Sequence, residues 1–177
     1  MTSLQEVLVP LAAPWARLYG DAPALQTGVT FLHLAALVIG GGLALSLDRG
    51  TLRLGASGAR ADASGTLLAV DVRALQLARI GRSHRTVIAT LLVMGTTGLA
   101  MLAADLDTYL SSRVFLLKMG LLALLLANGA FMGRTESMLA RGAIDQDRGW
   151  RRLVTSAGTS VVLWLAITLA GVALRNA

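Results

Sequence analysis

The sequence predicts an all-α integral membrane protein. The expected architecture is a membrane-spanning four-helix bundle, with an N-terminal interfacial helix and a cytoplasmic amphipathic helix between the first and second spans. Three observations carry this. The 177 residues are 55% hydrophobic and only 15% charged, whereas about a quarter of a soluble domain is charged. The apolar residues fall into four blocks, near 27–47, 84–104, 114–133 and 153–174, each close to the ~20 helical residues that cross a bilayer. None of the blocks shows strict alternation, and backbone in lipid must satisfy itself, so the blocks read as helices rather than barrel strands. The length fits one domain covering residues 1–177.

The elements follow in order. "MTSLQEVLVPLAAPWARLYG" places Glu6 before its first arginine, Arg17, the reverse of a secretory signal. Pro10 and Pro14 disfavour a spanning helix there. A short helix lying at the interface is expected, with Trp15 and Tyr19 at headgroup depth. The first span is "GVTFLHLAALVIGGGLALSLDRG" and closes on charge. Next comes a connection whose first half, "DRGTLRLGASGARADASG", is small and reads as flexible. Its second half has Leu67, Val70, Leu75 and Leu77 interleaved with Arg73, Arg79 and Arg82, the pattern of an amphipathic surface helix leading into the second span. Gly81 is a candidate bend at that junction. The third and fourth spans are joined to their neighbours by a short acidic loop and a basic one.

Arginine placement sets the expected orientation. Residues 48–85 carry Arg49, Arg53, Arg60, Arg73, Arg79, Arg82 and Arg85, and residues 133–152 carry Arg134, Arg141, Arg148, Arg151 and Arg152. The 105–113 connection carries Asp105, Asp107 and Arg113. The positive-inside rule puts both long connections in the cytoplasm, with both termini and the short loop outside. The net charge of +6 is thereby explained by topology. No basic helix or aromatic platform stands free of a span, so nucleic acid is not an expected partner. Gly40, Gly41, Gly42, Gly95, Gly98, Gly129, Gly133, Gly158 and Gly171 lie in or near the spans, and small residues let helices approach closely. The same glycine-rich faces could receive other membrane subunits.

Ionisable residues in lipid are costly and are functional candidates. At ~1.5 Å rise per residue, His33, Met101, Lys118 and Thr168 fall at similar depth in the outer leaflet. Met119 is close in height, and Asp105 and Asp107 sit just above. His33 with Met101 and Met119 forms a soft donor set for copper. His33 with Met101 is also a possible axial pair for a haem, with Lys118 placed for a propionate. The alternatives are structural: His33 hydrogen-bonding Thr168 or a backbone carbonyl, Lys118 snorkelling to headgroups, and methionines filling the core. His84 is some thirteen residues deeper than His33, ~20 Å at helical rise, so one haem iron cannot take both. Asn128, Thr90, Thr155, Ser156 and Thr159 form an inner polar set suited to interhelical hydrogen bonds.

With no cysteine, disulfides, thiolate sites and thiol nucleophiles are excluded. "GGGLAL" lies inside a span and is no phosphate loop. No paired carboxylates or nucleophile elbow stand out, so no catalytic residue is assigned.

Four local patterns, in order, resemble the bacterial copper-resistance D-type membrane domain and its uncharacterised relatives. They are "FLHLAALVIGGG", "TGLAML", "YLSSRVFLLKMGLLALLLANGAF" and "WRRLVTSAGTSVVLWLAITLAGVAL". The resemblance covers roughly residues 28 to 174. It implies a bacterial inner-membrane location and copper handling, with haem carriers among related four-helix proteins. His33 and Lys118 match the family's recurring polar positions. The chain departs from the family in having only four spans and no His/Met-rich outer segment. Three function classes follow: metal handling, a b-type haem electron carrier, and a non-catalytic accessory subunit of a larger membrane complex.

Overall fold

The computed structural model describes residues 3–58 and 66–175. Arg60 lies outside the described residues, as do the side chains of Leu67, Val70 and His84. Six helices and no strand are found among the described residues: α1 (Ser3–Asp21), α2 (Pro23–Gly58), α3 (Thr66–Ala104), α4 (Leu106–Ser111), α5 (Arg113–Ala140) and α6 (Gln146–Arg175). Four of them, α2, α3, α5 and α6, are long and apolar enough to cross a membrane.

The boundaries follow from local chemistry. α1 runs through Pro10 and Pro14 for 19 residues. Its C-terminal carbonyls are met by Gln26, whose Nε2 donates to Tyr19 O at 2.8 Å and Gly20 O at 3.1 Å. Pro23 then opens α2, where its missing N–H costs nothing. Asp105 caps α4 by accepting from Thr108 N, and Ser112 caps α5 by accepting from Phe115 N. α5 ends on Gly142 at φ 65°, with Ala143 N donating to Met138 O and Gly142 N to Leu139 O. That pair of bonds is the Schellman closure, and glycine suits its left-handed position. Asp145 Oδ2 then accepts from Arg148 N at 3.0 Å to start α6.

The connection between the first two spans differs from the expectation. Its first half is helical as far as Gly58, so α2 is one helix of 36 residues. The amphipathic segment is not a separate surface helix, and Gly81 does not end it. It is the first part of α3, a single helix of 39 residues. At ~1.5 Å per residue both helices exceed the ~30 Å apolar core of a bilayer. They stay helical because their extensions pack. Leu139, Trp150 and Leu153 form a buried cluster joined by Leu54, Leu77, Ile144 and Val154. Arg73 stacks over Trp150 at 5.4 Å and pairs with Asp147 at 3.6 Å.

Neighbouring helices are antiparallel, in the spatial order α3, α2, α6, α5. α6 is central, and its buried Leu153, Ala157, Ser160, Trp164 and Ile167 recur at helical spacing. Leu125, Leu163, Trp164 and Ile167 form a second core, with Leu37, Ala44 and Leu45 of α2 against it. α3 and α5 do not pack along their lengths. A groove of about 640 Å³ separates them, lined by Gly81 on one side and by Gly129, Gly133 and Glu136 on the other. The bundle is therefore open on one side. α1 closes one end by packing on α3, α4 and α2, with Trp15 Nε1 donating to Ala100 O at 2.8 Å. This is the α1 end; the opposite end is arginine-rich.

The helices' outward faces are apolar: Val38, Leu92, Leu117, Val162 and Leu169 are all exposed. The glycines divide by environment. A Cβ at Gly40 would fall on the Thr90 side chain, and one at Gly41 would lie 3.3 Å from Trp164. A Cβ at Gly42, Gly95 or Gly129 would meet nothing within 4 Å. Those three therefore make no close helix contact among the described residues, contrary to the packing role expected for them.

Candidate functional site

His33 is half-buried on α2 and faces α3. Its Nδ1 lies 3.0 Å from Thr97 Oγ1. The partner is thus on α3 rather than Thr168, which is exposed and donates to Trp164 O of its own helix. A Cβ at Gly98 would sit 3.2 Å from the imidazole Cε1, so glycine there makes room for the ring. The Thr97 hydroxyl has one proton, and its 2.7 Å bond to Val93 O uses it. Its oxygen accepts from His33 in consequence. This places the imidazole proton on Nδ1 and leaves the Nε2 lone pair unused by Thr97.

Met101 stands one turn beyond Thr97 on α3 and is half-buried. Lys118 is half-buried on α5 against α6, its Nζ 3.8 Å from where a Cβ at Gly171 would be. It lies within electrostatic reach of His33, and no hydrogen bond or ion pair holds it among the described residues. Met119, next in sequence, is 41% exposed. The structure thus draws His33, Thr97, Met101 and Lys118 to the α1 end. Asp105 and Asp107 are exposed nearby, on or beside α4. His84 lies thirteen residues before Thr97 along α3, ~20 Å away at helical rise.

The donor set can be tested for fit. No group of three or more His, Cys, Asp or Glu side chains converges among the described residues. For a soft metal ion the chain offers His33 Nε2, with Met101 as the sulfur on the facing helix. Fixing Nδ1 through a hydrogen bond is how ligating histidines are commonly oriented. The Lys118 ammonium opposes a bare cation and suits a ligand carrying negative charge.

Near this pair, the tip of the α1 end is aromatic. Trp15 and Tyr19 rings lie 5.8 Å apart, and Tyr109 and Phe115 rings 5.4 Å apart. Burial pushes the Tyr109 phenol above its ordinary value, with Asp105 and Tyr19 adding to the shift.

A second polar cluster escaped the sequence reading. By sequence, Asp48 is the charge that ends the first span. It is 3% exposed, buried where α2 packs on α6, with Ser160 of α6 beside its carboxyl. Its Oδ2 has no partner among the described residues. Thr51 Oγ1 donates to Leu47 O at 3.1 Å, and Gln76 Nε2 donates to the same carbonyl at 3.0 Å. The signal was available in the spacing. Leu37, Gly41, Ala44, Asp48, Thr51 and Gly55 continue one helical face past the apolar run.

Of the inner polar set, Asn128 and Ser156 do bond across helices. Asn128 Nδ2 donates to Ser156 O at 2.9 Å, and Ser156 Oγ donates to Asn128 Oδ1 at 2.9 Å. Thr90 and Thr155 bond within their own helices instead.

No family model, curated protein or solved structure is similar enough to this chain to count as a match.

Proposed function

We propose that this protein is a four-span integral membrane protein of the copper-resistance D type. In this reading it holds a metal ion or small ligand between its helices in the outer leaflet, around His33. The arginine-rich end is cytoplasmic and the α1 end faces outward, in a bacterial inner membrane. The observation that carries the ligand reading is the Thr97 bond to His33 Nδ1, which leaves Nε2 as an oriented donor. Met101 is the second donor. A copper ion bound here would supply soft Lewis acidity, while Thr97 orients the imidazole and Lys118 selects a charge-balanced complex.

Two other readings each have an observation in their favour. Lys118 beside His33 suits a haem propionate, and His33 with Met101 the axial positions of a b-type haem carrier. The open groove between α3 and α5 favours an accessory subunit receiving a helix of a larger complex.

Purified protein separates the three. Metal handling predicts copper by elemental analysis, lost in His33→Ala and Met101→Ala and weakened in Thr97→Val. A haem carrier predicts a Soret band that His33→Ala removes or shifts. Copper-free, colourless protein that co-purifies with a membrane complex refutes any ligand role for His33 and leaves the accessory reading.

A further inference from the structure

A groove of about 510 Å³ runs between α5 and α6 from the arginine-rich end into the apolar zone. Its α6 wall presents Arg148, Arg151, Arg152, Thr155 and Thr159, and its α5 wall Asn128 and Phe131. The α6 positions lie on one side of the helix by their spacing. From Arg148 to Thr159 they extend ~16 Å at helical rise.

Three features distinguish this groove from an ordinary basic membrane border. First, all three arginines are exposed, and no hydrogen bond or ion pair joins their guanidinium groups to a described residue. The nearest acids in sequence are engaged elsewhere. Asp145 caps the Arg148 N–H, and Asp147 pairs with Arg73. Second, the polar stripe does not stop at the charges. Thr155 and Thr159 carry it one and two turns further, still exposed, along a helix whose outer face is otherwise apolar at Val162, Leu165 and Leu169. Thr155 Oγ1 donates to Arg151 O, and Thr159 Oγ1 has no partner among the described residues. Third, Phe131 adds an exposed apolar surface beside the stripe.

We infer that this groove binds the headgroup of an anionic phospholipid. Its phosphate takes the unpaired guanidinium groups, its glycerol region lies along Thr155 and Thr159, and its acyl chains run over Phe131 and the outer face of α6. A free phosphate ion would use only the arginines. The hydroxyl stripe and the apolar wall below them match a ligand that passes from charged to polar to apolar along its length. The inference rests on the chain's membrane placement and is independent of any ligand at His33.

The test titrates the full-length chain in detergent with phosphatidylglycerol, phosphatidylcholine or inorganic phosphate, and reads bound lipid by native mass spectrometry. Phosphatidylglycerol is expected to bind about tenfold or more tightly than phosphatidylcholine, and inorganic phosphate is expected not to displace it. The R148Q/R151Q/R152Q variant should lose that preference. The R79Q/R82Q/R85Q variant removes equal charge from α3 and should keep it. Equal binding of the two lipids overturns the inference, as does equal loss in both variants. Displacement by phosphate overturns it in favour of a free-anion site. Should the first variant lose its helical circular dichroism, lipid selectivity and phosphate competition on the unaltered chain still decide. Resistance of the unaltered chain to carbonate extraction from membranes tests the membrane placement by itself, so the two failures are distinguishable.

Discussion

Replacing Asn128 by leucine tests whether the α5–α6 contact is held by its polar pair. The substitution removes both bonds of the Asn128 side chain to α6, each 2.9 Å long, and leaves the 3.5 Å contact of Ser156 Oγ with the Asn128 carbonyl. Hydrogen bonds between helices in membranes average ~0.6 kcal/mol, with a maximum near ~1.7. The pair should therefore contribute ~1–2 kcal/mol. The Ser156 carbonyl keeps its own helical donor, so no backbone group is orphaned. The Ser156 hydroxyl, 3% exposed, loses its side-chain acceptor and keeps the Asn128 carbonyl at 3.5 Å. Leucine also changes contact with lipid, so the single variant mixes two effects. A double-mutant cycle with Ser156→Ala isolates the Ser156 Oγ–Asn128 Oδ1 bond, because Ser156→Ala keeps the carbonyl that accepts from Asn128 Nδ2. Unfolding in mixed micelles by added dodecyl sulfate, followed by far-ultraviolet circular dichroism, should give a coupling of ~0.6–1.7 kcal/mol for that one bond. A coupling below ~0.5 kcal/mol, the scatter of independent sites, would refute the argument.

Three further outcomes follow from the same structure. Gly40→Ala is expected to destabilise by ~1–3 kcal/mol through overpacking, because its Cβ would meet the Oγ1 and Cβ of Thr90, and a second change, Thr90→Gly, should relieve that overlap where Thr90→Ala relieves only part of it. Gly129→Ala meets nothing within 4 Å and should stabilise by ~0.5–1 kcal/mol through helix propensity, measured in the same unfolding assay. Tyr109 is raised above the ordinary phenol value. The stability it contributes is intact below about pH 10, the unfolded value, and is lost as pH rises through the higher folded one. An ultraviolet phenolate titration should show a late component that Tyr109→Phe removes.

The parts of this protein legible in the sequence are those set by solvent. Apolar blocks of bilayer length, bounded by arginine, dictate helices, and the four long helices are where the blocks lie. Their ends were less legible, because a helix continues wherever packing rewards it. Residues 48–58 look like flexible linker by composition, yet Leu54 and Gly55 pack on Val154 and hold them helical. His33 stood out as an ionisable residue in an apolar run. Its partner did not, since helix pitch fixes depth along a span but not which neighbour shares that depth. Thr168 and Thr97 were equally reachable by height, and the α2–α3 pairing selects Thr97.

Asp48 shows the same division from the other side. By sequence it is the first charge after an apolar run, a natural end for a span. Only the packing of α6 against α2 removes it from water and brings Ser160 beside it. Composition and periodicity decide what a segment must do about solvent, because that depends on the segment alone. Which side chains meet depends on how helices rotate and cross. That is a property of pairs of surfaces, so the tertiary structure decided it.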